Sequence, residues 1–201
     1  MCGRINGISD GNLIWNIKYH DTWNFSGELA PTQQYPIIRK KPGSIDLETI
    51  LARWGLIPEH CQGEEDLQKY KSTFNARSET AHRLPTFRKA FQRQRSVIEV
   101  SGFYEWQKNG KSKTKLHIHS STGGPLILAG LWDFWQGPQG LIHSFTLLTC
   151  ASGPLVQKFH DRQPVILGQA GAKRWLEDQP QTELQKLLIP CPDRWLTVTP
   201  C

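Results

Sequence analysis

The second residue of the chain, Cys2, offers the most unusual chemistry in the sequence. A methionine that precedes a small residue is normally removed after translation, and removal of Met1 would leave Cys2 with an α-amine and a thiol on adjacent carbons. The amine of such a 1,2-aminothiol condenses with an aldehyde to an imine, and the thiol then closes on the same carbon to give a five-membered thiazolidine. Both groups have ordinary pKa values of about 8 to 8.5, so each has a reactive fraction at neutral pH. Alternatively, Cys2 is merely the residue that follows the initiator methionine.

Three further residues with orienting or acid–base side chains occur in apolar surroundings. Asn75 alternates with Arg77 in an extended stretch, so both could face the same way, although a helix cap and a surface arginine would give the same pattern. Glu105 lies between two large aromatic residues, where burial would raise the pKa of its carboxyl group, unless strand alternation points it into water. His160 is an acid–base candidate because its ordinary pKa is near neutrality, but a lone histidine is also common in turns.

Together these residues form an inventory of groups that could act in one site. Cys2 would be a nucleophile, Asn75 would orient it, Glu105 would be a carboxylic acid and His160 a base. Two different reactions fit this inventory. One is the capture of an aldehyde, which needs the amine and the thiol of Cys2 together. The other is amide hydrolysis, either with the amine as base or by a cysteine–histidine peptidase, which needs only the thiol.

Strands predominate among the elements that must position these residues. Alternating or β-branched apolar residues bounded by turn residues predict strands at 35–39, 47–54, 96–107, 115–120, 126–134, 141–150 and 164–167. Short helices are predicted at 13–17, 64–70, 84–94, 155–159, 172–178 and 183–188, and a loop at 24–34. Because most strands are joined by tight turns, we expect an α+β fold with a mainly antiparallel sheet that curls toward a barrel, and short helices at its periphery. The length suits a single domain over residues 1–201.

The composition limits the partners and cofactors. A net charge of +6 and a pI of about 9.1 favour polyanionic partners such as nucleic acid. Five cysteines without a Cys-x-x-Cys pair indicate neither a disulfide framework nor a zinc ribbon. His117, His119 and His143 are weak evidence for a metal because no carboxylate or cysteine stands at ligand spacing, so we expect neither metal nor cofactor. The sequence has no signal segment or long apolar run, which favours a soluble, cytoplasmic monomer without membrane contact.

Six ordered motifs resemble the SOS-response-associated peptidase (SRAP) family, whose fold the resemblance therefore implies. The resemblance extends over nearly the whole chain, and six motifs in one order are a specific signal. They are Met1-Cys2-Gly3-Arg4, Ala30-Pro31-Thr32, Trp54-Gly55-Leu56-Ile57-Pro58, Asn75-Ala76-Arg77-Ser78-Glu79-Thr80, Gly102-Phe103-Tyr104-Glu105-Trp106 and His160-Asp161-Arg162-Gln163-Pro164.

The resemblance implies a sensor of abasic sites in single-stranded DNA that becomes covalently linked to them. In that family the N-terminal cysteine, exposed by removal of methionine, forms a thiazolidine with the ring-opened sugar and so protects the site during repair or replication. By motif, Cys2 would be the nucleophile, Asn75 would position it and the DNA, Glu105 would be the general acid/base that also reverses the crosslink, and His160 would assist ring opening and proton transfer. The residues expected to contact DNA are Arg4, Pro31, Asn75, Arg77, Thr149 and Arg162, with the three arginines holding phosphates. The resemblance is also compatible with binding at single-strand/double-strand junctions, with lyase activity and with autocatalytic removal of Met1.

Three features depart from the family pattern. Glu28 stands where family members commonly have asparagine, and a carboxylate that faced the DNA would repel phosphate. The residues at 59–61 replace a tryptophan that usually follows the Trp-Gly-Leu-Ile-Pro motif, and the chain ends soon after Val198-Thr199, where relatives usually continue. None of these changes affects the four residues expected to be catalytic.

A third class of function is nucleic-acid binding without catalysis. The basic residues at 88–95 and those of a hairpin at 108–115 could form its binding surface, although a solvated helix face would show the same pattern. A covalent product with abasic DNA would separate the classes, because only aldehyde capture needs the amine and the thiol of Cys2 together.

Overall fold

The computed structural model of the protein describes residues 2–8, 25–110 and 112–201, and the helix expected at 13–17 lies outside them. Within these residues, the strands are β1 (Ile5–Gly7), β2 (Gly27–Leu29), β3 (Gln34–Lys40), β4 (Leu47–Trp54), β5 (Asn75–Arg77), β6 (Arg95–Val100), β7 (Gly102–Asn109), β8 (Ser112–Ser120), β9 (Leu126–Gly137), β10 (Gly140–Ala151), β11 (Arg162–Pro164), β12 (Ile166–Leu167) and β13 (Leu196–Pro200). The helices are α1 (Ser78–Ala81), α2 (Pro85–Arg93), α3 (Pro154–Gln157), α4 (Gln169–Leu176) and α5 (Gln181–Lys186), with 3-10 helices at Glu64–Tyr70 and Asp193–Trp195.

Five strands close into a barrel. β10 pairs with β9 and with β4, and the order β4-β3-β6-β9 returns to β10, so that no edge is left in this ring. The short strands β5, β11 and β12 extend the barrel sheet. Among the strands of the described residues, all pairs are antiparallel except β10 with β4 and β10 with β5. The expected α+β fold with a mainly antiparallel, curled sheet and short outer helices is therefore confirmed.

A second, five-stranded sheet has the order β13-β8-β7-β1-β2. One apolar cluster includes residues of both sheets, among them Trp54 and Phe145 from the barrel, Phe103 and Ile118 from the second sheet, and Cys2. A second cluster packs the barrel against α2 and α4. The two sheets thus share a core, and the segment that carries Cys2 lies within it.

One buried cation joins the ends of two helices. Arg95, only 6% exposed, donates hydrogen bonds to the carbonyl oxygens of Phe91 and Gln92 at 3.0 and 2.6 Å, near the end of α2. It also donates to the carbonyls of Trp175 and Glu177 at 2.7 and 2.9 Å, at the end of α4. The last carbonyls of a helix have no partners within it, so the guanidinium satisfies both ends and complements their dipoles.

Three expectations about the strands are wrong. The strand expected at 164–167 is two short strands, β11 and β12, which are separated at Val165 and pair with β10 and β9. The single strand at 96–107 is two strands, β6 in the barrel and β7 in the second sheet, separated at Ser101. The backbone N–H of Ser101 donates to the carbonyl of Asn6 at 2.9 Å, and its hydroxyl bonds the same carbonyl at 3.0 Å, so β1 marks the point where the chain changes sheets. The loop at 24–34 contains β2, which pairs with β1.

Candidate functional site

Cys2 is fully buried in the shared core, three residues before the start of β1 at Ile5. The side-chain amide of Asn75 donates a hydrogen bond of 2.7 Å to the backbone carbonyl of Cys2. The thiol lies 3.7 Å from the carbonyl oxygen of Arg4. Burial, and then the nearby charge of Glu105, raise the pKa of the Cys2 thiol far above its ordinary value. At neutral pH the thiol is therefore protonated in this structure.

Glu105 lies on β7, beside the segment that leads into β1. Ile5 pairs with Phe103, and the N–H of Tyr104 donates to the carbonyl of Arg4 at 3.0 Å, so the pairing continues toward Cys2. The Glu105 side chain is 4% exposed, and burial, together with the charge of Asp161, raises the pKa of its carboxyl group to about 7. This group can both accept and release a proton near neutral pH, as a general acid/base must.

Asn75 is positioned by the barrel rather than by the second sheet. It begins β5 and lies in register with Leu147 of β10, and the preceding carbonyl of Phe74 accepts bonds from the Leu147 N–H and the Trp54 indole. The Asn75 side chain is buried, and its Oδ1 has no hydrogen-bond partner among the described residues. The expected extended stretch followed by a helix is confirmed by β5 and α1.

His160 lies in the turn between α3 and β11. Its backbone N–H donates to the carbonyl of Val156 at 3.0 Å, and its Nδ1 accepts a 2.9 Å bond from the N–H of Arg162. The carboxylate of Asp161 also lies 2.9 Å from Nδ1, which would require a protonated ring. The backbone bond indicates a neutral ring, because the Asp161 side chain is 86% exposed and burial lowers the pKa of His160. The neutral ring then carries its proton on Nε2.

Two of the arginines expected to bind phosphate are engaged by carboxylates of this chain. Arg162, 13% exposed, forms a two-pronged ion pair with Glu79 at 2.5 and 2.9 Å. The side chain of Arg4 pairs with Glu28 at 3.2 Å. Arg77 is exposed and has no ion pair among the described residues.

Thr149 and Pro31, both expected to contact DNA, differ in their burial. Thr149 is fully buried on β10, between Arg77 of β5 and Pro164 of β11, and its carbonyl and hydroxyl accept bonds from Arg162 at 2.5 and 3.3 Å. The burial argues against direct DNA contact by Thr149 in this conformation. Pro31 is half-buried in the turn between β2 and β3.

The structure thus brings the four residues expected to be catalytic into one region. The Asn75 side chain donates a hydrogen bond to the Cys2 carbonyl, and the charge of Glu105 contributes to the raised pKa of the Cys2 thiol. The charge of Asp161 contributes to the raised pKa of Glu105, and its carboxylate lies 2.9 Å from Nδ1 of His160. A cysteine–histidine peptidase needs a thiol of lowered pKa, whereas the pKa of Cys2 is raised. The raised pKa of Cys2 therefore argues against a cysteine–histidine peptidase.

The basic stretch at 88–95 is a poor candidate for a DNA surface. Arg95 is buried against helix carbonyls, and Lys89 forms an ion pair with Glu59. A surface cavity of about 650 Å³ formed mainly by residues of 120–127, 166–169 and 194–195 contains none of the expected site residues.

The structure separates the histidines that could have suggested a metal. The rings of His117 and His119 lie 5.0 Å apart on β8, whereas His143 is on β10 beside Trp132. No group of three or more potential metal ligands occurs in the part of the chain that the structure describes. In the same residues, no helix combines the length and apolar character needed to cross a membrane.

Two acidic residues to which the sequence assigns no individual role influence the candidate site. Asp161 contributes to the raised pKa of Glu105, and Glu79 holds Arg162. Both stand inside motifs already singled out, so their proximity to His160 and Asn75 in the sequence was the available signal. Glu28, noted as a departure, bonds Arg4 and Lys115.

Comparison with known proteins agrees with the fold and the motifs. The family model described as "SOS response associated peptidase (SRAP)" matches residues 1–201. The abasic site processing protein YoqW of Bacillus subtilis is 32% identical over 204 residues, covering 94% of this chain and 87% of YoqW. A crystal structure from Bordetella bronchiseptica superimposes with a TM-score of 0.88 at 28% identity, covering 100% of this chain and 99% of that one. A structure from Bacteroides thetaiotaomicron gives 0.90 at 22% identity, covering 99% and 91%. The chain therefore belongs to the SRAP family.

Proposed function

We propose that this protein captures abasic sites in single-stranded DNA by forming a thiazolidine through Cys2 after removal of Met1. The observation that carries the proposal is a buried carboxyl group with a pKa of about 7, Glu105, beside a cysteine that Asn75 holds by its carbonyl. Relatives named abasic site processing proteins support the substrate class. The net charge of +6 favours binding to DNA. We place the protein in the cytoplasm, associated with the nucleoid if the source organism is bacterial.

The proposed reaction loses one molecule of water. The ring-opened sugar presents an aldehyde, whose carbon is attacked by the neutral α-amine of Cys2 to give a carbinolamine. Loss of water, with a proton supplied to the leaving hydroxyl by Glu105, gives an imine. The thiol then adds to the imine carbon while its proton passes to the nitrogen, directly or through Glu105, which closes the thiazolidine ring.

The positions of the other three residues support a proposed role for each of them. Asn75 holds the Cys2 backbone so that the amine and the thiol face the aldehyde carbon of the sugar. This orientation would lower the entropic part of the barrier. His160, neutral with its proton on Nε2, can donate that proton during opening of the sugar ring. Glu105 would serve again, as a base, when the crosslink reverses.

An abasic site has no base to recognise, so the protein must recognise the DNA through contacts to its sugar–phosphate backbone. Arg77 is exposed and is our first candidate for a phosphate contact, with Arg4, Arg162 and Pro31 as further candidates. Thr149 would act through Arg162, which it bonds.

The test is a denaturing gel after mixing the protein with single-stranded DNA that contains an abasic site. Wild type from which Met1 has been removed, as verified by intact mass, should give a band that survives denaturation. Cys2→Ala, and a protein with one extra residue ahead of Cys2, should give none. Cys201→Ala removes an exposed thiol and is the matched control, which should crosslink like wild type. Absence of the band from processed wild type would refute the proposal.

A further inference from the structure

Glu28 connects two basic side chains next to the Cys2 segment. Its Oε1 lies 3.2 Å from Nε of Arg4, and its other oxygen, Oε2, accepts a hydrogen bond from Nζ of Lys115. The three side chains are 42%, 35% and 30% exposed for Arg4, Glu28 and Lys115. One carboxylate therefore uses both of its oxygens on two cations that solvent, or a ligand, can reach.

The second sheet fixes this arrangement. Glu28 lies opposite Asn6 in the β1–β2 pair, and Lys115 lies opposite Trp106 in the β7–β8 pair. The carbonyl of Arg4 accepts the N–H of Tyr104, and Nζ of Lys115 lies 4.1 Å from the centre of the Tyr104 ring. Four neighbouring strands thus bring together one acidic and two basic side chains.

The carboxylate resembles what a phosphate would offer at the same place. Both groups present oxygens in a geometry that guanidinium and ammonium groups bind with charge-assisted hydrogen bonds. Ion pairs between solvent-exposed side chains contribute little to the stability of a protein. A DNA phosphate could therefore displace Glu28 without unfolding the sheet.

We infer that Glu28 is an intramolecular competitor of DNA phosphate at Arg4 and Lys115, and so sets the affinity and selectivity of the protein for single-stranded DNA. The inference rests on the proposed function, in which the DNA strand passes Arg4, and it adds Lys115 as a phosphate contact. By weakening non-covalent binding to every strand alike, Glu28 makes retention depend on the covalent step. Undamaged DNA is then released, and only an aldehyde is held.

Salt dependence gives a signature that a structural role would not produce. Each phosphate contact with single-stranded DNA contributes about 0.7 to the slope of log affinity against log salt concentration. In wild type, a phosphate that binds Arg4 displaces Glu28 from it. The freed Glu28 carboxylate then attracts a cation from solution, which offsets part of the counterion release from the DNA. Removal of the Glu28 charge should therefore steepen the slope by about 0.7 for each contact that it masks.

The experiment measures fluorescence anisotropy of a short, labelled, undamaged single strand between about 50 and 200 mM salt. Glu28→Gln should bind about threefold to tenfold more tightly than wild type at the low end, and with a steeper slope. Glu64→Gln removes the same charge from an exposed residue with no ion pair among the described residues, and should change affinity by less than about twofold. In an Arg4→Gln/Lys115→Gln background, the gain from Glu28→Gln should disappear.

Equal or weaker binding by Glu28→Gln, with an unchanged slope, would overturn the inference and show that Glu28 instead holds Arg4 ready for DNA. A gain that persists without Arg4 and Lys115 would also overturn it. The crosslinking gel is read separately. Normal anisotropy binding without a crosslink would refute the proposed chemistry and leave this inference intact, whereas no binding by either protein would refute both.

Discussion

The raised pKa of Glu105 predicts a specific dependence of stability on pH. The ordinary pKa of this carboxyl group is 4.5, and in the folded protein burial and the charge of Asp161 raise it to about 7. Between these values the folded state holds a proton that the unfolded state has lost, so stability falls as pH rises. At about 1.4 kcal/mol per pKa unit, the folded state is destabilised above pH 7 by about 3 kcal/mol relative to its stability below pH 4.5.

Replacement of Glu105 by glutamine removes this cost while keeping the shape of the side chain. The free energy of unfolding of Glu105→Gln, relative to wild type, should therefore increase by about 3 kcal/mol from about pH 4.5 to pH 8, with most of the change between pH 5 and pH 7. Urea unfolding at several pH values measures it. Glu64→Gln, which removes an exposed carboxylate, is the control and should show no such trend.

Parallel stability curves for Glu105→Gln and wild type would refute the reasoning, since they would mean that Glu105 ionises alike in both states. The same result would undermine its catalytic assignment. A carboxyl group with an ordinary pKa is almost fully ionised at pH 7 and is a poor proton donor to a leaving hydroxyl. The stability measurement thus tests the chemistry without any DNA present.

Two further variants test the supports of the site and of the fold. Asn75→Ala removes the hydrogen-bond donor to the Cys2 carbonyl and should lower the free energy of unfolding by about 1 to 3 kcal/mol. It should also lower the crosslinking rate at saturating DNA at least about tenfold. An unchanged rate would show that Asn75 does not orient Cys2. Arg95→Met leaves four carbonyls at two helix ends without their donor, and should cost about 3 to 5 kcal/mol in urea unfolding. Arg88→Met, on the exposed face of the same helix, should cost less than about 0.5 kcal/mol, and equal losses for both arginines would contradict the role given to Arg95.

Local patterns were sufficient to predict most elements of this fold. The strand at 47–54 coincides with β4, and helix α2, expected at 84–94, covers Pro85–Arg93. Its proline is at the first turn, where no backbone donor is needed, and its buried Phe87 and Phe91 are one turn apart. Hydrophobic periodicity and turn residues are patterns over a few neighbouring positions, so they predict local features such as the bounds of an element and its buried face.

Pairing between distant strands could not be read in the same way. The stretch at 96–107 has a continuous strand pattern, yet at Ser101 it leaves the barrel and enters the second sheet. The cause is the bonding of Ser101 to Asn6, some 95 positions away, and no property of the stretch itself reveals that partner. The parallel pairing of β10 with β4 and β5 was hidden for the same reason.

The same distinction applies to the candidate site. Residue types and motifs indicated Cys2, Asn75, Glu105 and His160, because their chemistry is a property of each side chain. What surrounds an arginine is a property of the fold, so the sequence could not show that Arg162 is held by Glu79 and Thr149. Nor could it show that Glu28 meets Arg4 and Lys115.

The site lies where the two sheets meet, and this location explains why it needs both of them. Cys2 and Glu105 are positioned by β1 and β7 of the second sheet, whereas Asn75 and His160 are positioned by β5 and β11, which flank the end of β10 in the barrel. The bond from Asn75 to Cys2 crosses from one sheet to the other. A small shift between the sheets would therefore break the hydrogen bond from the Asn75 amide to the Cys2 carbonyl. The shared apolar core holds the two sheets together and so contributes to the geometry of the candidate site as well as to stability.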